Sequence, residues 1–357
     1  MKKAELTTRE RIKRALEHKD GDRVAICDRP WDGTIRRWIE QGMPAGMDWR
    51  DYFGVDKTED ILADVSPRYE SKLIEETDTY TIRLTEWGTT IKYLKGEDTT
   101  PEFLDFKVKD SEVWKDAKKR MRFDESRTNL KYYLEHVPQW INEGRWVRAA
   151  FWFGFDVTHS WFIGTETLLM AMIEEPSWVT DVFNTYLDLN IKMFDYLWKS
   201  GVRFDSINWP DDMGYKNNQF FSVSTYNEML KPFHKRASDW AKAKGLKVEF
   251  HSCGNIMPFI PHLIEIGVDS LNPIEVKAGM DPLVIKKLYG DKLALHGGLN
   301  ALLWPEHDKV IAEIERLVPV LKQGGGYIFS SDHSIPNNVT LKNFKDIVAK
   351  VKQCGKY

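Results

Sequence analysis

From residue 145 onward, short apolar runs alternate with longer stretches whose apolar residues recur at helical spacing. The runs are WVRAAFWF, FDSIN, KVEFH, DSLN, LALHG and GYIFSS. Helical sequence follows the first run to about residue 200, then recurs near 224–244, 256–266, 282–289, 307–322 and 340–353. Such alternation implies a parallel sheet with helical crossovers, either a closed barrel or a doubly wound sheet. The residues at the strand ends decide between them. Asp211 and Asp212 follow the second run, His251 ends the third, Glu275 follows the fourth, Gly297 and Gly298 follow LALH, and Asp332 and His333 follow the sixth. Polar groups from many strands that meet on one rim are the mark of a TIM-type (β/α)₈ barrel. A doubly wound sheet gathers them at one switch point instead. The barrel is therefore predicted. Gly324 to Gly326 precede a strand, which makes them a turn rather than a phosphate cradle.

The first 144 residues have a different rhythm. Residues 7–18 predict a helix capped by Thr7 or Thr8, with Ile12, Ala15 and Leu16 on one face. An extended stretch ends at Cys27, a second helix is predicted over 34–41, and 80–93 alternates about Trp87-Gly88 as a β-hairpin does. No Gly/Ser-rich or Pro-rich linker divides the chain. We therefore expect one domain over 1–357, in which 1–144 is an N-terminal extension decorating a barrel carried by 145–357.

A net charge of −3 with interspersed signs gives no electrostatic case for nucleic acid or an anionic membrane. No apolar run reaches the roughly 18 residues of a membrane span. The charged start lacks the apolar stretch of a signal peptide, so a cytoplasmic location is expected. Three cysteines argue against a disulfide framework. Aromatic residues crowd the 146–162 segment; most are expected in the core, with Trp152, Phe153 and Phe155 as candidates for a wall against a ligand.

The sharpest chemical signal is HSCGN. His251 and Cys253 lie two apart at a strand end, where such side chains share a face. Imidazole and thiolate together select zinc-like metals, and a third ligand completes an open catalytic site. His333 is the candidate for that ligand, with Asp332 beside it to orient it or to meet substrate. His296 also ends a strand and is read as structural. Glu275 is a candidate fourth ligand that leaves when substrate binds. Asp211 and Asp212 are candidates to hold a substrate hydroxyl or act as general acid, although adjacent extended side chains diverge.

The stretches TTRERIKRALEHKDGDRV, DYFGVD, WPDDMGY, KPFHKR, HSCGN with LIEIGVDSLNPIE, YGDKLALHGGLN and GGGYIFSSDHSIPNNVTLKNF stand in an order that resembles, nearly end to end, the uroporphyrinogen decarboxylase superfamily. The resemblance implies the barrel and two chemistries on it. One branch decarboxylates uroporphyrinogen without a cofactor and carries an Arg-Gln-Ala-Gly-Arg motif; the equivalent region here, CDRPWDGTIRRW, keeps Arg29, Arg36 and Arg37 but not the motif. The other branch comprises corrinoid-dependent methyltransferases with zinc on His-x-Cys and a later Cys. His251 and Cys253 match the first two ligands, and His333 stands where that branch has the later Cys.

Exchanging a thiolate for neutral imidazole makes a zinc site one charge more positive and a stronger Lewis acid. The resemblance thus implies a zinc-dependent methyltransferase passing a methyl group from a small donor to cob(I)alamin on a partner corrinoid protein. A methoxylated aromatic is the leading donor. The Asp-x-His-x-x-Gly pattern of a base-off corrinoid domain is absent from this chain, so the corrinoid is expected on a partner. A homodimer is the default for self-association. The alternatives are a cofactor-free decarboxylase of uroporphyrinogen type and a non-catalytic barrel that binds a corrinoid or tetrapyrrole.

Overall fold

A computed structural model describes residues 5–96 and 99–357. Met1 to Ala4, part of the charged start on which the cytoplasmic expectation rests, lie outside the described residues. Eight short parallel strands run around a barrel: β1 (Ala25–Ile26), β2 (Thr58–Ile61), β3 (Trp146–Ala150), β4 (Ser206–Pro210), β5 (Lys247–His251), β6 (Ser270–Asn272), β7 (Ala294–His296) and β8 (Tyr327–Phe329). Each from β2 to β8 pairs with its neighbour in sequence, and β8 pairs back onto β1. Between β1 and β2 the Asp56 N–H donates to the Ile26 carbonyl at 3.0 Å, and the Ile26 N–H donates to Asp56 Oδ2 at 2.8 Å.

Alternation sorts the strand residues. On β3, Val147 and Ala149 are wholly buried against the helices. Trp146 points the other way and packs inside the barrel with Ala25, Ala294 and Ile328. The helix Thr8–Leu16 plugs that end with Ile12, Ala15 and Leu16. It begins where it does because Thr7 and Glu10 form a reciprocal capping box. Arg11 and Arg23 both reach the buried Asp56 carboxylate, which ties the plug to the β1–β2 junction.

The section before residue 145 therefore does more than decorate: it supplies two staves of the barrel and its plug. The first stave lies in the stretch up to Cys27 that the sequence marks as extended, but neither stave forms an apolar run that marks a barrel strand. One has two residues and the other, Thr58–Ile61, places three polar residues before its one buried apolar side chain. The 80–93 hairpin is the centre of a four-stranded antiparallel sheet formed by 72–76, 80–84, 89–94 and 102–106. It leans on the rim, where Trp87 meets Trp152 edge-on at 5.2 Å. No helix among the described residues is long and apolar enough to cross a membrane.

Candidate metal centre

The site grows out of the ends of β4 and β5. Pro210 and His251 are partners in the ladder, and the turns beyond them stay coupled. The Asp211 N–H donates to the His251 carbonyl at 2.8 Å, and the Cys253 N–H donates to Asp212 Oδ1 at 2.7 Å. Gly254 lets the second turn double back. Its φ is +78°, and a Cβ there would lie 2.1 Å from the Gly214 carbonyl carbon, so only glycine fits. The result brings three donor side chains together. His251 Nε2 stands 3.4 Å from Cys253 Sγ and 3.6 Å from Asp212 Oδ1. One ligand atom from each of the three lies within 4.8 Å of the others, and all three residues are half-buried.

The neighbouring strand sets the imidazole. His251 Nδ1 is 2.5 Å from Asn272 Oδ1, and the Asn272 amide N–H donates to the His296 carbonyl at 3.0 Å. A carbonyl only accepts, so Asn272 must turn its NH₂ to His296 and its oxygen to His251. Nδ1 then carries the proton and Nε2 presents its lone pair to Cys253 and Asp212. That is the outer-shell arrangement by which proteins aim metal-binding histidines.

Burial, and then the charges of Asp212, Glu275 and Asp156, push the Cys253 thiol well above its ordinary range. Burial and the Asp212 charge likewise raise the Asp156 carboxyl to about 8. A thiolate at this spot therefore needs a cation beside it. Imidazole, thiolate and carboxylate suit a zinc-type ion, and three protein ligands leave a fourth position open. The donor set fits a catalytic metal.

The other residues singled out in the sequence take distinct places. Asp211 is wholly buried and accepts from His234 Nε2 at 2.7 Å and from the Asp156 N–H at 2.6 Å. His234 is held in turn by the Tyr226 hydroxyl at 3.2 Å, so Asp211 braces the turn after β3. Asp212 alone of that pair joins the donor group, as divergent neighbours must. Glu275 accepts from the Gly254 N–H at 2.5 Å and pairs with Lys277 at 3.2 Å. The Asp332 carboxylate accepts from the Ala301 and Val276 N–H groups at 2.7 and 2.8 Å, which pins two rim loops together. His333 is exposed beside Trp31, ring centroids 6.2 Å apart, and is not in the donor group. Phe153 and Phe155 are wholly buried and pack against Trp209 and Phe221. Trp152 keeps open surface, and its indole N–H donates to Asp156 Oδ2 at 3.1 Å. It also walls a cleft of about 760 Å³ beside the rim, whose lining includes neither His251 nor Cys253.

Sequence reasoning missed Asn272 and Asp156. Asn272 ends a strand next to His251's, a position that a register drawn from the strand order would have exposed. Asp156 was hidden by the aromatic residues around it.

These features define a (β/α)₈ barrel with a polar, metal-competent site on the C-terminal rim. The family model for uroporphyrinogen decarboxylase (URO-D) matches residues 82–354, and the chain belongs to that family. Among solved structures the fold is shared with a methyltransferase from Methanosarcina mazei, at 15% identity and a TM-score of 0.65, over 98% of this chain and 99% of that one. An endo-1,4-beta-xylanase, XylE, of Penicillium canescens overlaps 68% of this chain and 90% of its own, at 11% identity and a TM-score of 0.36. No curated protein matches by sequence.

Proposed function

We propose that this chain is a zinc-dependent methyltransferase that moves a methyl group from a methoxylated aromatic donor to the cob(I)alamin of a partner corrinoid protein. The observation that carries the reading is the convergence of His251 Nε2, Cys253 Sγ and an Asp212 carboxylate oxygen, with the imidazole lone pair turned inward by Asn272. Family membership supplies the scaffold, and the fold shared with a protein named as a methyltransferase is consistent with the reaction.

His251, Cys253 and Asp212 would hold the metal. A carboxylate in the place expected for His333 restores the negative charge that a second imidazole would have removed. The choice of an ether donor therefore rests on the aromatic residues near the rim and not on a more positive zinc. When bound, zinc supplies a Lewis acid that draws charge onto the ether oxygen as its bond to the methyl carbon breaks. The partner's cob(I)alamin would supply the electron pair for the new bond to that carbon, and the aryl oxygen would keep the pair of the old bond and leave as phenolate. Trp152 offers its open face to the ring, and Asp211 keeps the turn carrying Trp152 and Asp156 in place. The corrinoid partner would dock over the C-terminal rim, where the donor group faces out.

Metal analysis of the wild type beside His251→Ala, Asp212→Ala and His333→Ala tests the site, and spectroscopic formation of methylcobalamin from methoxyarenes tests the reaction. Stoichiometric zinc lost in the first two variants, with methyl transfer, is expected. Zinc that is neither present nor loadable would sink the reading in favour of the cofactor-free decarboxylase. Zinc without methyl transfer from any methoxyarene would sink the donor class. Loss of zinc in His333→Ala would return that residue to the ligand set.

A further inference from the structure

Above its floor the barrel lumen is not sealed: Asp60, Arg148 and His251 keep 34%, 16% and 33% of their side chains open. Trp146 forms the floor, its indole N–H held by Ser206 Oγ at 3.1 Å and Glu249 Oε1 at 2.8 Å. Two residues further along β3, and so on the same side of the strand, Arg148 points into the lumen and keeps 16% of its side chain open. Asp60 of β2 takes one edge of the guanidinium, Nε at 2.7 Å and Nη2 at 2.9 Å. Nη1 has no acceptor among the described residues, yet it is not sealed from solvent. Asn208, the lumen position of β4 opposite Ala150, is half-buried, and its side-chain amide also makes no hydrogen bond within the described chain. Open donors deep in a barrel lumen are satisfied by water or by a ligand's oxygen atoms.

We propose that this lumen seats the aromatic ring of the methyl donor and that Arg148 Nη1, with the Asn208 amide, binds a carboxylate on that ring. The substrate class is then a methoxylated aromatic carboxylate, an assignment that rests on the methyltransferase reading. Depth supports it. Arg148 pairs in register with Ser206, whose hydroxyl meets Glu249 at 2.5 Å. His251 lies two residues beyond Glu249 on β5, about 7 Å nearer the mouth. A benzene ring with its two substituents bridges that interval, carboxylate down and ether oxygen up. Asp60 already holds the guanidinium rigid, so a ligand meets a fixed donor. Glu249, the other carboxyl on this side of the lumen, is engaged by the Ser206 hydroxyl and the Trp146 indole and makes no hydrogen bond to the guanidinium. A bound carboxylate thus becomes the second anion on a guanidinium that has an edge to spare.

Calorimetric binding of benzoate and benzamide to the zinc-loaded protein tests this without turnover. The wild type is expected to prefer benzoate by about tenfold or more, as one charge-assisted hydrogen bond allows. Arg148→Met should abolish the preference and Arg148→Lys should retain part of it. If Arg148→Met alone fails to fold because Asp60 is left unpaired, the Asp60→Asn/Arg148→Met protein replaces it. Equal binding of the two ligands by wild type, or a preference that survives loss of the guanidinium, overturns the proposal. In turnover, the ratio of kcat/KM for methoxybenzoate over anisole should fall by a similar factor in Arg148→Met. Methyl transfer from anisole by a wild type with no benzoate preference would sink the carboxylate seat and leave the methyltransferase standing. A benzoate preference dependent on Arg148, without methyl transfer, would do the reverse.

Discussion

Replacing Asn272 by Ala removes the group that aims His251 without touching a metal donor. In the wild type the amide oxygen holds Nδ1 at 2.5 Å while the amide nitrogen is anchored on the His296 carbonyl at 3.0 Å. Without it the proton can move to Nε2, and the ring is free to rotate away from Cys253 and Asp212. Loss of such an outer partner lowers metal affinity by about 10- to 100-fold, or roughly 1.4 to 2.7 kcal/mol. The metal-free protein loses two hydrogen bonds, about 2 kcal/mol at a net ~1 kcal/mol each. Competition for zinc against a chromophoric chelator measures the first quantity, and urea unfolding of the metal-free protein the second. Wild-type zinc affinity in Asn272→Ala would refute the argument that Asn272 sets the tautomer.

Asp56→Ala takes from the buried Arg23 its close carboxylate and from Arg11 one of its two, Asp22 remaining, and should cost about 3 kcal/mol in urea unfolding; a loss under 1 kcal/mol, about the worth of an exposed pair, would show that water reaches them. Gly254→Ala should abolish zinc binding while the far-UV spectrum persists, because its Cβ would strike the Gly214 backbone and the Cys253 turn must open; unchanged zinc content would contradict the turn. At Asp22 burial opposes ionisation, but the Arg11 guanidinium and the Leu6 and Arg23 N–H groups outweigh it and hold the carboxyl at about 2. A folded-state pKa below the unfolded value stabilises above the ordinary range, so the stability gap between wild type and Asp22→Asn should close as pH falls from 3.8 toward about 2. A gap independent of pH across that interval would show that Asp22 stabilises through its shape alone.

The repeated strand–helix rhythm after residue 145 was legible because each strand there buries an apolar face on the surrounding helices, which leaves a run in the sequence. The rim was legible for a related reason. Strand ends stop being apolar where the barrel opens to water, so Asp211, Asp212, His251 and Glu275 mark it. The second stave was not legible, since Thr58–Ile61 carries lumen-facing polar groups that read as loop, and the extended stretch to Cys27 gave no sign that it closes the barrel. Nor was the split between Asp211 and Asp212. One peptide unit separates a carboxylate that is wholly buried on His234 from one that faces Cys253.

The sequence by itself determined the barrel, its direction and the His251–Cys253 pair, because periodicity and i, i+2 geometry are local properties of a chain. Only the tertiary structure decided the company that pair keeps. Asp212 enters because β4 and β5 are neighbours in register, and Asn272 because β6 lies on the other side. Arg148 and Asp60 pair because β2 and β3 are neighbours in register, and with Asn208 of β4 they line a lumen that exists only once eight strands have closed. Contacts between strands depend on register and closure, which no single segment encodes; they arise when the whole set of apolar faces is buried at once.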